Sequence, residues 1–189
     1  MGDGLVSIVL IGNVDPQTSA VRRALARHVF VHITDPSQYE VVDLFQPELV
    51  IVAGWRHLVP PDVLAVPRYG TVGFHSARLP EYPGRAPIPW TLVRGDKLVW
   101  NTMLYLDEGV DSGDVIAAEC RPITPSDTPD TLYQWVAQSC VSLLDIYLPS
   151  LLDGTAPRTP QDPARRGPLT SKDGWNVYHE LQRLGAGHG

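Results

Sequence analysis

The first third of the chain carries three apolar runs that are rich in β-branched residues, at residues 5–11, 29–34 and 47–53. Continuous apolar runs of this length are typical of strands that are covered on both faces. Apolar residues at helical spacing follow the first run, after a start signal at Asp15, and a shorter helix is predicted over residues 37–45. Because strands and helices alternate, we predict an α/β fold with a Rossmann-like, mostly parallel sheet and helices on both faces.

The rest of the chain continues this alternation. Further strands are predicted at residues 70–74, 99–106 and 114–122, and further helices at residues 60–67, 88–93, 129–149 and 172–184. Pro149 is expected to end or kink the long helix, and the polar segment 154–168 is interpreted as a loop. The length fits a single domain, residues 1–189, in which residues 171–189 form a C-terminal helix and tail.

Composition and charge argue against several classes of protein. A net charge of −6 and a pI near 5.4 disfavour binding to nucleic acid through a basic face. Cys120 and Cys140 lack Cys-x-x-Cys spacing and lie in apolar surroundings, so we expect both to be reduced and buried, and we expect no metal site. No apolar run approaches the ~20 residues that span a bilayer, and residues 1–4 do not start a signal peptide. We therefore expect a cytoplasmic protein with no membrane partner.

Two ionisable residues, His75 and Asp111, each follow a predicted strand and lie in loops marked by proline or by acidic residues. A histidine beside a carboxylate can carry a proton near neutral pH, as general acid–base catalysis requires. The same pattern also fits a simpler interpretation, in which His75 only caps a loop and the acidic residues around Asp111 form a solvated turn. Spacing alone leaves both interpretations open.

A wider motif resembles the signature of the folate-dependent formyltransferases, which include glycinamide ribonucleotide, methionyl-tRNA and amino-sugar enzymes. It comprises HSARLPEYPGRAP at residues 75–87, Gly95-Asp96, and DEGVDSGD at residues 107–114, with 36 residues (111 − 75) from the histidine to the key aspartate. The segment that starts at Arg85 most resembles the amino-sugar and methionyl-tRNA branches. The resemblance implies the formyltransferase fold, 10-formyltetrahydrofolate as cofactor, and catalytic roles for His75 and Asp111.

The resemblance also implies two binding surfaces. The cofactor would contact Trp55, Arg56, His57, Leu58, Leu106, Asp107, Glu108, Gly109 and Val110. The substrate would contact Gly12, Asn13, Ser76, Tyr82 and Arg85. Simpler interpretations stay open for three of these: Trp55 as a core aromatic, His57 as a surface residue, and Gly12-Asn13 as a tight turn rather than an anion site at a helix N-terminus.

One position departs from the family's pattern, because the Asn that lies two residues before the histidine is Gly73 here. That Asn would donate a hydrogen bond to the formyl oxygen as negative charge develops on it. Loss of one such donor costs on the order of 10²–10³ in rate. Asn101, Thr102 and Ser76 are the candidate replacement donors.

We therefore expect an N-formyltransferase that moves a formyl group from 10-formyltetrahydrofolate to the primary amine of a small metabolite: an amino sugar, a nucleotide-linked sugar or an amino-acid derivative. A tRNA substrate or other nucleic acid is not expected, because the chain lacks the further domain that methionyl-tRNA enzymes carry. Two alternatives stay open. One is a same-fold enzyme with another acyl donor, or with water as acceptor, for which Gly73 opens space; the other is a non-catalytic module that binds folate or a sugar nucleotide. The oligomeric state is not fixed.

Overall fold

The computed structural model describes residues 6–184, and within them one sheet forms the centre of the molecule. Its strands are β1 (Ser7–Ile11), β2 (Val29–Ile33), β3 (Leu49–Val52), β4 (Thr71–His75), β5 (Leu98–Tyr105) and β6 (Val115–Pro122). They lie in the order β2-β1-β3-β4-β5-β6; the first four run parallel, and β5 and β6 are antiparallel additions at one edge. The predicted fold class is confirmed. Leu5, the predicted start of the first strand, and residues 185–189 of the predicted tail lie outside the described residues.

The helices are α1 (Pro16–Ala24), α2 (Glu40–Phe45), α3 (Pro61–Leu64), α4 (Pro87–Arg94), α5 (Pro129–Asp153) and α6 (Gly174–Arg183). They cover both faces of the sheet, as the alternating side chains of β1 show. Ile8 and Leu10 pack with residues of α1 and α5, whereas Val9 and Ile11 pack with residues of α2 and α3. Both faces of the central strands are therefore buried, as their continuous apolar runs predict.

The long helix α5 packs on α1 and on β5, with ten of its residues buried. Of the two outcomes predicted for Pro149, an end or a kink of the helix, the end is wrong, because the helix continues to Asp153 and stops at Gly154, which has φ +78°. Pro149 lies on the exposed side, where water can replace the backbone hydrogen bond that proline removes. By length and hydropathy α5 is also apolar enough to cross a membrane, contrary to the expectation from the sequence. Core helices of soluble proteins meet the same test, so this indication is weak.

The two cysteines differ in their surroundings. Cys140 on α5 is fully buried, whereas Cys120 is exposed. The prediction that Cys120 is buried is wrong, because β6 is the edge strand and alternate side chains along it face solvent.

Candidate active site

His75 is the last residue of β4 and lies at the carboxyl edge of the parallel strands, where ligands bind in open α/β sheets. Its side chain is buried, with only 5% of the residue exposed. The ring Nε2 donates to the backbone carbonyl of Tyr82, 2.7 Å away. The ring Nδ1 lies 3.5 Å from Oδ2 of Asp111. An acceptor therefore faces each ring nitrogen, and a proton on Nδ1 would be shared with the carboxylate.

Asp111 reaches this position from the loop that follows β5. Its backbone adopts φ +51°, a left-handed conformation that residues other than glycine rarely adopt. The backbone N–H of Gly84 donates to the same Oδ2, at 2.8 Å. The structure thus brings together the two residues singled out in the sequence, 36 positions apart (111 − 75), and joins the loops that carry them.

The space beside Gly73 is closed by an apolar side chain. A Cβ atom placed on Gly73 would lie 3.0 Å from Cδ2 and 3.3 Å from Cδ1 of Leu106. The interpretation that Gly73 opens space for a different acyl group or for water is therefore wrong. Leu106 fills the region that an Asn side chain would enter, and it supplies no hydrogen-bond donor there.

Two of the three candidate replacement donors point elsewhere. The amide nitrogen of Asn101 donates to Ser139 and Cys140 on α5, across the opposite face of the sheet from His75. Thr102 is the neighbour of His75 across the strands, but its hydroxyl donates to the carbonyl of Ala77 at 2.7 Å. These contacts show that both predictions are wrong. Ser76, buried and adjacent to His75, remains the candidate.

The predicted cofactor surface lies around a second apolar cluster of the core. Trp55 and Leu106 both pack against this cluster, and Leu58 beside them is 67% exposed. The ring of Trp55 is held by a hydrogen bond from its Nε1 to the hydroxyl of Tyr39 at 2.8 Å, and burial raises the pKa of that hydroxyl. Arg56 and His57 are exposed.

The acidic loop borders the same surface. Asp107, Glu108 and Gly109 are exposed and Val110 is half-buried. The loop is ordered by the carboxylate of Asp107, which accepts from the N–H of Gly109 and the hydroxyl of Ser112. An apolar wall beside a loop with exposed polar groups fits a flat heterocycle with a polar edge, as the pteridine of a folate is.

The predicted substrate residues are only partly brought together. Tyr82 contacts His75 through its carbonyl, and Arg85 in the same loop is exposed. Gly12 and Asn13 instead form a packed turn that ties β1 to β3: the Asn13 amide donates to the carbonyl of Gly54 at 2.6 Å, and a Cβ on Gly12 would lie 2.4 Å from the carbonyl of Ala53. This geometry favours the tight-turn interpretation.

A cavity of about 220 Å³ lies beside Tyr82. It is lined by Ala77, Arg78, Tyr82, Thr91, Arg94, Asp96, Lys97, Leu98 and Trp100. Arg94 pairs with Asp96 at 2.8 Å and lies 4.0 Å from the Tyr82 ring centroid, and Arg78 pairs with Glu81 at 3.6 Å. With Lys97, the cations at the lining outnumber these two acidic partners by one. Sequence reasoning missed this cavity, although Arg94 and Lys97 directly flank the Gly95-Asp96 motif.

The polar segment that follows α5 was predicted to be a loop over residues 154–168, and this loop and the residues just after it contact the site. In the structure Gln161, Arg166 and Thr170 donate to backbone carbonyls of both loops that carry the His75–Asp111 pair. No periodic pattern marks such residues, and only the clustering of polar side chains could have drawn attention to them. Across residues 6–184, no group of three His, Cys, Asp or Glu side chains is arranged to hold a metal ion.

Comparison with known proteins gives concordant matches. The family model described as formyl transferase matches residues 17–145. Methionyl-tRNA formyltransferase of Pelotomaculum thermopropionicum is 34% identical over 162 residues, which cover 84% of this chain and 52% of that protein. Its namesake from Syntrophus aciditrophicus is 35% identical over 130 residues, covering 69% of this chain and 42% of that protein. The chain thus spans about half the length of the curated relatives it matches, or less.

Solved structures show the same fold. The formyltransferase PseJ from Anoxybacillus kamchatkensis aligns with a TM-score of 0.78 at 22% identity, covering 93% of this chain and 90% of that one. HypX from Aquifex aeolicus aligns with a TM-score of 0.76 at 20% identity, covering 88% of this chain and 30% of that one. The family resemblance inferred from the motifs is confirmed, and the chain belongs to the formyl transferase family.

Proposed function

We propose that this protein transfers a formyl group from 10-formyltetrahydrofolate to a primary amine. The observation that carries the proposal is the His75–Asp111 pair, enclosed by two loops at the carboxyl edge of the sheet of a formyl transferase fold. A buried imidazole beside a carboxylate can hold and move a proton, which is the task that acyl transfer to an amine requires.

Trp55, Leu58 and Leu106 would form the apolar wall against the pteridine, and the loop from Asp107 to Val110 would contact its polar edge. Two proteins that share the fold, PseJ and HypX, were solved with tetrahydrofolate, which supports this assignment. When bound, the cofactor supplies the activated formyl group. The protein would position the two reactants, exclude water from the site and supply the side chains that carry the proton.

His75 would stabilise or protonate the formyl oxygen as negative charge develops on it, which requires Nε2 to exchange the Tyr82 carbonyl for that oxygen. Asp111 would hold the imidazole at Nδ1 and accept a proton through water. With Gly73 in place of the family's Asn, the charge-stabilising task falls on His75 and on the hydroxyl of Ser76. We therefore expect turnover below that of an enzyme with a side-chain amide at position 73.

The acceptor that we favour is a small amine with an anionic group, such as a nucleotide-linked amino sugar. Arg78, Arg94 and Lys97 line the cavity next to Tyr82, where Asp96 pairs with Arg94 and Glu81 pairs with Arg78 at 3.6 Å, so the cations outnumber these acidic partners by one. The aromatic rings of Tyr82 and Trp100 in the same lining could stack on a nucleobase. PseJ, solved with a formamido sugar nucleotide, supports this class of acceptor.

Methionyl-tRNA is the second candidate acceptor. The curated relatives carry the name methionyl-tRNA formyltransferase, which conflicts with the prediction that no nucleic acid is bound. The same cationic cavity would suit a phosphate of the tRNA acceptor end. For either acceptor, we propose that the reaction takes place in the cytoplasm.

The test is to incubate the protein with 10-formyltetrahydrofolate and a panel of amino-sugar nucleotides, amino acids and methionyl-tRNA. Tetrahydrofolate release is followed by absorbance, and each acceptor is checked by mass for an added formyl group. His75→Ala and Asp111→Asn should each lower turnover at least ~10²-fold. His28→Ala, at the end of a short turn on another element, is the matched control and should retain the wild-type rate.

Three results would count against the proposal. Full activity of His75→Ala would remove the mechanism. Folate binding by calorimetry with no modified acceptor would favour a binding module. Tetrahydrofolate release without any amine would favour hydrolysis.

A further inference from the structure

Residues 159–170, here called the strap, run from the edge of the sheet to the loop that follows His75. At one end Thr159 pairs with Val115 of β6 through two backbone hydrogen bonds of 2.9 and 3.0 Å. At the other end Thr170 pairs with Gly84: the Thr170 N–H donates to Pro83 at 2.8 Å, and its carbonyl accepts from Arg85 at 2.9 Å. The strap lies beyond residues 17–145, the part that matches the family model.

The strap holds the backbone around Asp111. The side-chain amide of Gln161 donates to the carbonyl of Asp111 at 2.9 Å and to that of Gly113 at 2.7 Å. Arg166 donates to the carbonyl of Val110 at 2.5 Å and approaches that of Asp111 at 3.4 Å. Donors from the strap therefore satisfy the carbonyls on both sides of a residue with a left-handed backbone, a conformation that persists only where its surroundings impose it.

The strap also fixes the loop that follows His75. The N–H of Gly167 donates to Pro80 at 3.1 Å, and a Cβ on Gly167 would lie 1.9 Å from the carbonyl of Glu81, so the two segments are in direct contact. Arg165 pairs with the side chain of Glu81. This loop supplies both the carbonyl that accepts from His75 and the Gly84 N–H that donates to Asp111.

We propose that the strap positions the His75–Asp111 pair, with Gln161 as the positioning residue that holds Asp111 in its left-handed conformation; the kinetic part of this inference rests on the proposed formyl transfer. Gln161 touches no reacting atom, and it acts through the backbone of Asp111. The orientation of the Gln161 side-chain amide follows from its partners. If the amide were rotated, its oxygen would face two carbonyl oxygens, and neither of them can donate a hydrogen bond. Its own Oε1 is buried and has no hydrogen-bond partner among residues 6–184.

The experiment compares Gln161→Ala with Leu169→Ala, an exposed strap residue that serves as the matched control. The first readout is the amide resonance of Gly84 in ¹H–¹⁵N spectra, because that N–H donates to the Asp111 carboxylate. Gln161→Ala should shift this resonance toward its position in Asp111→Asn, and Leu169→Ala should leave it unchanged. Arg166→Lys, a milder change, should shift it in the same direction and keeps the test available if Gln161→Ala does not fold.

The second readout is kinetic. A small displacement of a catalytic group costs up to about 10²-fold in rate, so Gln161→Ala should lower kcat about tenfold or more while KM for 10-formyltetrahydrofolate changes little. A Gly84 resonance at its wild-type position in both Gln161→Ala and Arg166→Lys would overturn the inference. A wild-type kcat in Gln161→Ala would also overturn it. Because the Gly84 readout needs no turnover, it tests the strap even if the wild-type protein transfers no formyl group.

Discussion

Cδ2 of Leu106 lies 3.0 Å from the position that a Cβ atom on Gly73 would take, so one apolar side chain covers the place of the family's side-chain amide. Gly73→Asn alone should give a small gain in turnover, because Leu106 must move to admit the new side chain. Gly73→Asn with Leu106→Ala should give a larger gain, up to the ~10²-fold associated with one oxyanion donor.

Steady-state kinetics of the two single variants and the double variant would check this. Leu106→Ala alone is the control for the loss of the apolar Leu106 side chain, which we propose to contact the cofactor. A double variant no faster than Leu106→Ala would show that a donor at position 73 does not limit the proposed formyl transfer.

A second prediction concerns pH and the start of α5. Arg121 donates two hydrogen bonds to Asp127, of 2.7 and 2.9 Å, and with Thr124 and Thr131 it holds the pKa of that carboxyl well below its usual range. A carboxyl whose pKa is lowered in the folded state stabilises the protein at every pH above the pKa that it has in the unfolded chain, near ~3.9. This stabilisation is lost as the pH falls below that value toward the pKa in the folded state. Asp127→Asn should therefore lower the free energy of unfolding by about 1–3 kcal/mol at pH 7.

Denaturant titrations of wild type and Asp127→Asn between pH 7 and pH 3 would measure this difference. The gap should narrow steadily below about pH 4. A gap of equal size at both ends of the range would mean that ionised Asp127 contributes nothing beyond packing.

The third prediction concerns the two thiols. Burial raises the pKa of the Cys140 thiol to about 12, whereas Cys120 is exposed on β6. A colorimetric disulfide reagent at pH 8 should titrate one thiol in the native protein and two in denaturant, because the thiolate is the reactive form. Cys120→Ser should abolish the fast reaction, and fast labelling of both thiols in native protein would contradict the burial of Cys140.

The fourth prediction separates backbone strain from steric clash at two glycines. Gly54 and Gly95 have similar φ values, +60° and +67°, but a Cβ on Gly54 would lie 2.0 Å from the Asp15 carboxylate, whereas no described atom lies within 4 Å of one on Gly95. Gly95→Ala should cost about 1–2 kcal/mol, the cost of a left-handed backbone for an L-residue. Gly54→Ala should cost clearly more, because it also displaces the Asp15 carboxylate that caps α1. Thermal unfolding of the two variants measures both losses of stability. Equal losses of stability would show that the Asp15 side chain moves aside at no cost.

The elements that sequence reasoning predicted well are those with a strong local signal. Continuous apolar runs predicted the parallel strands, and the Asp15 cap predicted the start of α1, whose Thr18 N–H donates to Asp15 at 2.8 Å. The sequence motif also pointed to the two residues that meet in the site, His75 and Asp111.

The errors arose where the deciding contact is distant in sequence. β5 is buried on both faces, so its pattern does not reveal which side chains face α5. Asn101 was therefore named a candidate replacement donor, although its amide contacts α5. Cys120 is exposed because β6 is the edge strand, and Pro149 lies on the exposed side of α5, where solvent can replace the lost backbone hydrogen bond. The strap contacts are side-chain donors that bind loop carbonyls about 50 residues away, with hydrogen bonds such as Gln161 to Asp111 at a separation of 50. No local pattern encodes such contacts.

The position of the strap in the chain has a consequence for the order of assembly. A polypeptide that has emerged as far as Asp153 already contains every strand of the sheet and the helix α5 that packs on it. Chains fold as they are synthesised, so the scaffold can form before the donors of Gln161 and Arg166 exist outside the ribosome. Substitutions in this late segment should then yield a protein that is folded, persists in the cell and has reduced turnover, rather than one that is removed as misfolded.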